Sequence, residues 1–349
     1  MKKVLFGTTT LVAAGLISST AFAGDVTSKD NLQLSIGGKM EQYFGGVGSF
    51  GDGGREDGMG INTDTEVYVN GMTTLDNGIT VKAVIQLEAQ TNSTINADEQ
   101  YVELSGSFGR IQAGQKEDAA SQLAVTAPTV GYVSINDTYT WLGAPVNGGT
   151  FAGGDTTWSS DDATVSYFTP SFYGFTGAVS YTPNPGGALV PGRGRGRDHV
   201  FMSVGYSNEF SGVGIDADVG SRIDTSQNAW GIRSGLNLSY AGFTVGGSFM
   251  GIAGDDTSET YVWDAGLSYA VGPYAVGFTY GQNDGAQQDG GATGVGHEAS
   301  YMVGGSYNMG PGISLVGNVF YATMDGEKAA GNNDTRDGVG AVAGVVLAF

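Results

Sequence analysis

The chain predicts an all-β fold, a transmembrane antiparallel β-barrel of about sixteen strands with short turns at one end and long loops at the other. Three observations predict it. The segment Asp337–Phe349 places an apolar residue at every second position (Val339, Ala341, Ala343, Val345, Leu347, Phe349), with mostly small residues between. Period two over that length is one strand with one greasy face. About 9–11 tilted residues cross a membrane, and Phe349 falls where an aromatic interfacial girdle belongs. The opening residues read as an export signal: Lys2 and Lys3, an apolar run from Val4 to Ile17, and an A-x-A site at Ala21-Phe22-Ala23. Residues 1–23 are thus expected to be removed and residues 24–349 to form the barrel. Finally, alternating segments recur to the end, and their connections alternate short and long.

Composition narrows the function classes. The 61 glycines have no G-X-Y period, which excludes collagen, and only 8 prolines argue against a disordered linker protein. Zero cysteines in an exported chain mean no disulfide framework, so the fold must rest on ladder hydrogen bonds, complete only if the sheet closes. A net charge of −20 argues against nucleic acid, whose phosphates need Lys and Arg.

The elements follow in order. Leu32, Leu34 and Ile36 alternate with Gln33 and Ser35, and Lys39 and Glu41 continue the polar face. Glu66–Asn70 turns Val67 and Val69 outward. Asp76-Asn77-Gly78 is a hairpin turn, since Asn-Gly readily takes positive φ. Ile79–Gln90 sets Val81, Ala83, Ile85 and Leu87 against Lys82, Gln86, Glu88 and Gln90. Val102 and Leu104 follow, then Arg110–Lys116. Eleven further strands run from Ala163 to the terminus. Short turns are expected at 106–109, 171–174, 209–212, 241–242, 272–273 and 310–312, and long loops at 45–60, 184–198, 284–296 and 325–337. Aromatics crowd the short turns (Phe108, Tyr173, Phe175, Phe210, Tyr240, Phe243, Tyr269, Tyr274, Tyr307, Phe349), a ring at one height.

One insertion, Glu117–Ser160, is too long for a turn and too rich in Val125, Val130, Tyr132, Ile135, Tyr139 and Trp141 to stay solvated. An interior able to hold it exists only in a wide barrel.

The chain resembles the trimeric general porins of Gram-negative outer membranes, particularly the alphaproteobacterial type. The resemblance is carried by Met1-Lys2-Lys3-Val4-Leu5-Phe6, by Leu34-Ser35-Ile36-Gly37-Gly38, by Phe108 through Gln115 (FGRIQAGQ), and by the aromatic terminal strand. It implies an outer-membrane channel for passive diffusion of small hydrophilic solutes and ions, a homotrimer among outer-membrane lipids and lipopolysaccharide, and an assembly machinery that reads Phe349. It also implies that segment 117–160 is the third loop, folded inward to constrict the pore. In such porins loop acids face a wall of bases. The matching acids are Glu117, Asp118, Asp137 and Asp155, and the matching bases Lys39, Lys82, Arg110 and Lys116. The acidity of the chain leads us to expect a mild cation preference. A solute-specific porin would need an aromatic track or defined ligand site, and an adhesin a fixed short repeat.

Other motifs have plain readings. His199 and His297 sit near strand ends as polar rim residues, and no nucleophile-base motif accompanies them, so no enzyme is expected. No cofactor is expected either; calcium, which takes oxygen ligands, has a candidate site in acidic loops such as Asp255-Asp256, without EF-hand spacing. Gly192–Arg197 (GRGRGR) is a basic run in an outer loop, suited to lipopolysaccharide phosphates or to acidic neighbouring loops. Arg222 and Arg233 are expected to be satisfied by Asp216 and Asp218.

Overall fold

A computed structural model describes residues 25–27, 32–50, 57–89, 97–132, 141, 157–158, 161–183, 198–225, 228–254, 257–289, 292–327 and 333–349. The signal segment, Asp137, Asp155, Arg193, Arg195, Arg197, Asp255 and Asp256 lie outside them. The strands are β1 (Asp25–Thr27), β2 (Gln33–Phe50), β3 (Gly58–Thr74), β4 (Thr80–Glu88), β5 (Ala97–Gly106), β6 (Gly109–Gln115), β7 (Ala163–Phe168), β8 (Phe175–Thr182) and β9 (His199–Phe210). They continue as β10 (Val213–Asp224), β11 (Ala229–Tyr240), β12 (Phe243–Gly254), β13 (Thr257–Val271), β14 (Tyr274–Asp289), β15 (Ala292–Gly310), β16 (Ile313–Glu327) and β17 (Asn333–Ala348). A short helix, α1 (Ala119–Gln122), follows β6.

Each strand from β2 onward pairs antiparallel with the next, and β17 pairs back onto β2 through Ala348↔Lys39 to Asp337↔Phe50. Sixteen strands therefore close into a barrel with no free edge, the condition for leaving no backbone group unpaired in lipid. The seam is finished by Phe349. Its N–H donates to Gly38 O at 3.0 Å and its carbonyl accepts from Gly38 N at 2.7 Å. A Cβ on Gly38 would meet the Phe349 ring at 2.9 Å, so glycine makes the space the terminal aromatic occupies. Below that point β1 takes over the same edge of β2, Asp25 opposite Ser35.

Two-residue turns set the hairpin registers. Ser211-Gly212 and Ala241-Gly242 both carry positive φ at each position, the type that matches strand twist. Ser211 and Ala241 accept a conformation that costs a non-glycine residue roughly 1–2 kcal/mol. Alternation then sorts the faces. Ile85, Leu87, Val102, Val204, Val219, Leu236, Val303 and Val319 are exposed outward, whereas Glu66, Gln112, Ser166, Asp218, Arg233 and Thr279 are buried on the inner face. The turn-end aromatics form the expected ring, in contact across strands at Phe243–Tyr269, Tyr274–Tyr307 and Phe175–Tyr206. A second belt, which sequence alternation did not reveal, runs Trp263–Tyr280–Tyr301–Tyr321 across β13 to β16. On β11 the two belts are ten residues apart, Tyr240 to Trp230; at about 3.3 Å per residue and a tilt near 40° that spans a ~25 Å apolar band.

Three expected outer loops are shorter than their composition suggests. Ladders continue to Phe50 and resume at Gly58, run to Asp289 and resume at Ala292, and run to Glu327 and resume at Asn333. Gly, Asp and Asn there continue the backbone ladders of the strands, although the period-two alternation of the apolar band disappears from the sequence.

Candidate functional site

The inner face is built around the chain that follows β6. Asp118 caps α1, accepting from Ala120 N at 2.7 Å, Ser121 N at 3.0 Å and Ser121 Oγ at 2.6 Å. Burial pushes its carboxyl above the usual aspartate range, against those hydrogen bonds. Ala119 and Ala120 are fully buried against β7–β9, and Ala119 N donates to Ser180 Oγ at 2.9 Å. Asp118 thus holds the start of the loop and shows almost no surface to the lumen.

From α1 the chain runs as a strap around the wall, and each contact joins strap backbone to a wall side chain. Val125 N donates to Asp218 Oδ1 at 2.8 Å, and Asn237 donates to Thr126 O at 3.0 Å. Ala127 N donates to Asp264 Oδ1 at 3.0 Å, and Thr279 Oγ1 donates to Pro128 O at 2.9 Å. Asn318 grips both sides of Gly131, donating to Val130 O at 3.0 Å and accepting from Tyr132 N at 2.8 Å. Gly131 has φ +109° and no room for a Cβ against Asn318, so only glycine serves there. Tyr132 stacks on Tyr43 and accepts from Asn62 Nδ2 at 3.0 Å. Trp141 and Tyr132 cover a lumen-side apolar cluster of Tyr43, Met302, Phe320 and Val342. The strap therefore passes from β10 round to β3. Sequence reasoning placed this segment in the lumen but missed Asn237, Asp264, Thr279 and Asn318; a lone polar residue on one strand does not announce its backbone partner on a distant loop.

Charge concentrates on β2–β6. Lys39 Nζ lies 2.7 Å from Asp64 and 2.9 Å from Glu66. Lys116 lies 2.5 Å from Glu99 and 3.5 Å from Glu117. Arg110 lies 3.8 Å from Glu103, and its guanidinium sits 3.9 Å over the Phe168 ring. Lys82 stands opposite Glu103 in register. The four bases proposed from sequence share one wall and one face. That face also carries Glu41, Asp64, Glu66, Glu88, Glu99, Glu103 and Glu117, so acids outnumber bases seven to four. Carboxylate oxygens of Asp64, Glu66 and Glu88 lie within 4.8 Å of one another, and Lys39 already supplies the cation between two of them. Beyond the strand ends, Asp161 is pushed up to about 7 by burial and by Asp98, Glu99 and Glu117, with Lys116 opposing. Its Oδ1 is buried without a hydrogen-bond partner.

The remaining charged pairs divide differently from expectation. Arg233 does pair with Asp218, but Asp216 accepts from Ser207 Oγ at 2.6 Å, and Arg222 instead approaches Asp224 at 3.9 Å and His199 Nε2 at 3.1 Å. The cause is distance along the strand: Asp216 shares the face of Arg222 but lies six residues away, whereas Asp224 and its ladder partner His199 stand at the same strand end. His297 pairs with Asp284, its register partner, on the outer face of the barrel.

A closed sixteen-stranded barrel with apolar outer belts and a polar, charge-lined interior defines a membrane channel. A family model described as Gram-negative porin matches residues 8–329, and the chain belongs to that family. It is a multi-pass β-barrel of the Gram-negative outer membrane. No curated protein sequence matches it. Among solved structures it is similar to an anion-selective porin from Comamonas acidovorans, at 18% identity and TM-score 0.62, covering 91% of this chain and 100% of the other. It is also similar to the outer membrane channel DcaP of Acinetobacter baumannii (13% identity, TM-score 0.64, 93% and 99% covered). OmpT of Vibrio cholerae in a trimer form gives 10% identity, TM-score 0.63, and 92% and 100% covered. At such identities the likeness is one of fold.

Proposed function

We propose that this porin passes small hydrophilic solutes and ions by passive diffusion, that the strap narrows its lumen, and that it prefers cations mildly. The observation that carries this is the strap docked along the inner wall facing an acid-rich β2–β6. Sieving by aperture and biasing by lining charge need no catalysis and no cofactor. The anion selectivity named for the Comamonas neighbour does not suit this chain, whose wall carries more carboxylates than bases and where Lys39 and Lys116 each meet two. Purified protein in a planar bilayer should give discrete conductance steps, and their absence from a correctly folded barrel would remove the diffusion reading.

We further infer removal of residues 1–23 on export, recognition of Phe349 by the assembly machinery, lipopolysaccharide around the barrel, and a homotrimer. Two features support a protein partner at β2–β6. Among the described side chains that outer face carries few exposed aromatics, Phe44 and, at the turn, Phe108, and it holds the polar pairs Gln42–Thr63 and Gln100–Gln115, which lipid would leave poorly served. Beside it lies an apolar groove lined by Phe44, Met59, Val303, Val319, Ala341 and Ala343. Sedimentation of the detergent-solubilised protein should give the mass of three chains.

A further inference from the structure

The strap lies in a trough of glycines. A Cβ on Gly235 would sit 1.8 Å from Val125 O, one on Gly304 1.6 Å from Val130 O, and one on Gly266 2.7 Å from Pro128 O. Gly305, the next residue but on the outer face, would meet nothing nearer than 3.8 Å. The trough carries charge at one point. Asp218 accepts from Val125 N with Oδ1 and from Arg233 with Oδ2, while Arg233 Nη2 donates to Val125 O at 3.3 Å. Both polar ends of the Val125 residue are therefore held by one ion pair, whose two side chains have no exposed surface. In a wet lumen these groups would stay hydrated. Covering them carries a desolvation cost that only well-placed replacement hydrogen bonds recover. A strap resting loosely on the wall would leave water on the pair.

We propose that Asp218 and Arg233 are positioning residues of the pore. The pair locks the strap at Val125, the glycine trough sets how deeply it lies, and together they determine the aperture. Because the pair is neutral and covered, ion selectivity is left to the β2–β6 wall. This rests on the strap-narrowed diffusion proposed above and adds which residues set the width.

The test measures single-channel conductance, liposome swelling with sugars of increasing size, and reversal potential. Gly304→Ala, whose Cβ would lift the strap off the wall, and the charge-conserving double variant Asp218→Asn/Arg233→Gln, which releases it at Val125, should each move the strap into the lumen and lower conductance roughly 1.5-fold, as expected if the narrowest cross-section limits flow. Both should lower the sugar size cut-off with reversal potential unchanged. Gly305→Ala should behave as wild type, and Arg233→Lys, which keeps the charge, should fall between. Assembled Gly304→Ala and double variants with wild-type conductance and sugar cut-off would overturn the proposal, as would a conductance change accompanied by a clear change in ion preference. Where those variants do not assemble, Leu123→Cys/Gly205→Cys reports the seat directly. A Cβ on Gly205 lies 3.6 Å from Leu123 Cβ, within disulfide range, and the chain has no cysteine of its own. The disulfide should form in the assembled barrel, and its failure to form overturns the seating. A wild-type protein without conductance steps would count against the diffusion reading, while the disulfide still reports on the strap.

Discussion

Parity decides what a substitution does at the scale of one residue. Ile85 faces out and Gln86 faces in, where it donates to Glu99 at 2.8 Å. Arginine in place of Ile85 is expected to cost ~2–4 kcal/mol near the midplane and to cut assembly, while arginine at Gln86 meets water and should assemble nearly normally. Heat-modifiable protein recovered from outer membranes compares the two, and equal yields would mean the register is wrong. Asp161 supplies a pH dependence. Its carboxyl, ordinarily near 3.8, is raised to about 7, so between about 4 and 7 the folded state keeps a proton the unfolded chain has lost. The stability it contributes is present at the acid end of that window and is lost as pH rises through 7. The same ionisation adds a negative charge near the lumen, so cation preference should strengthen from pH 6 to pH 8. Asp161→Asn should flatten that rise in a reversal-potential titration.

Two segments are exposed to test at the scale of elements. Removing Ala127–Gly148 deletes the strap contacts to Asp264, Thr279 and Asn318 and should raise single-channel conductance; an unchanged value in an assembled barrel would mean the strap does not limit flow. Deleting Phe349 removes the pair of hydrogen bonds that ends the β17–β2 seam, together with the ring packed on Gly38. The yield of assembled barrel should fall sharply, measured by heat modifiability, with export of the precursor unaffected. The strand rhythm, the tight turns at Ala241-Gly242 and Asn77-Gly78, and the loop's inward placement were all legible in the sequence, because each follows from local periodicity, local φ demand or local burial. The strap's course was not. Asp264 and Ala127 are 137 positions apart, Asn318 and Tyr132 186, and no periodicity within either segment reports a contact at that separation.

Charge placement governs the molecule as a whole. Lys39, Lys82, Arg110, Lys116, Arg222 and Arg233 all lie on inner-face positions, four of them on the β2–β6 side. Their carboxylate neighbours leave that side net negative. A reversal potential across a KCl gradient should therefore show modest cation preference that shrinks as salt shortens the screening length from ~10 Å at 0.1 M. A clear anion preference would mean that the bases dominate the narrowest point.

By itself the sequence determined the sheet, the number of barrel strands, which side chains face lipid and which end carries the turn-side aromatic ring. Those properties repeat every two residues or sit in a two-residue turn, and the membrane enforces them on each strand separately. Only the tertiary structure decided how far the strands rise beyond the apolar band, which acids pair with Lys39 and Lys116, and that Asp118 caps a helix rather than lining the lumen. It also decided that Asp218 and Arg233 hold a peptide instead of facing solute. Closure brings strands distant in sequence around one cavity, and a single loop crossing that cavity converts isolated polar residues and glycines on many strands into one continuous seat.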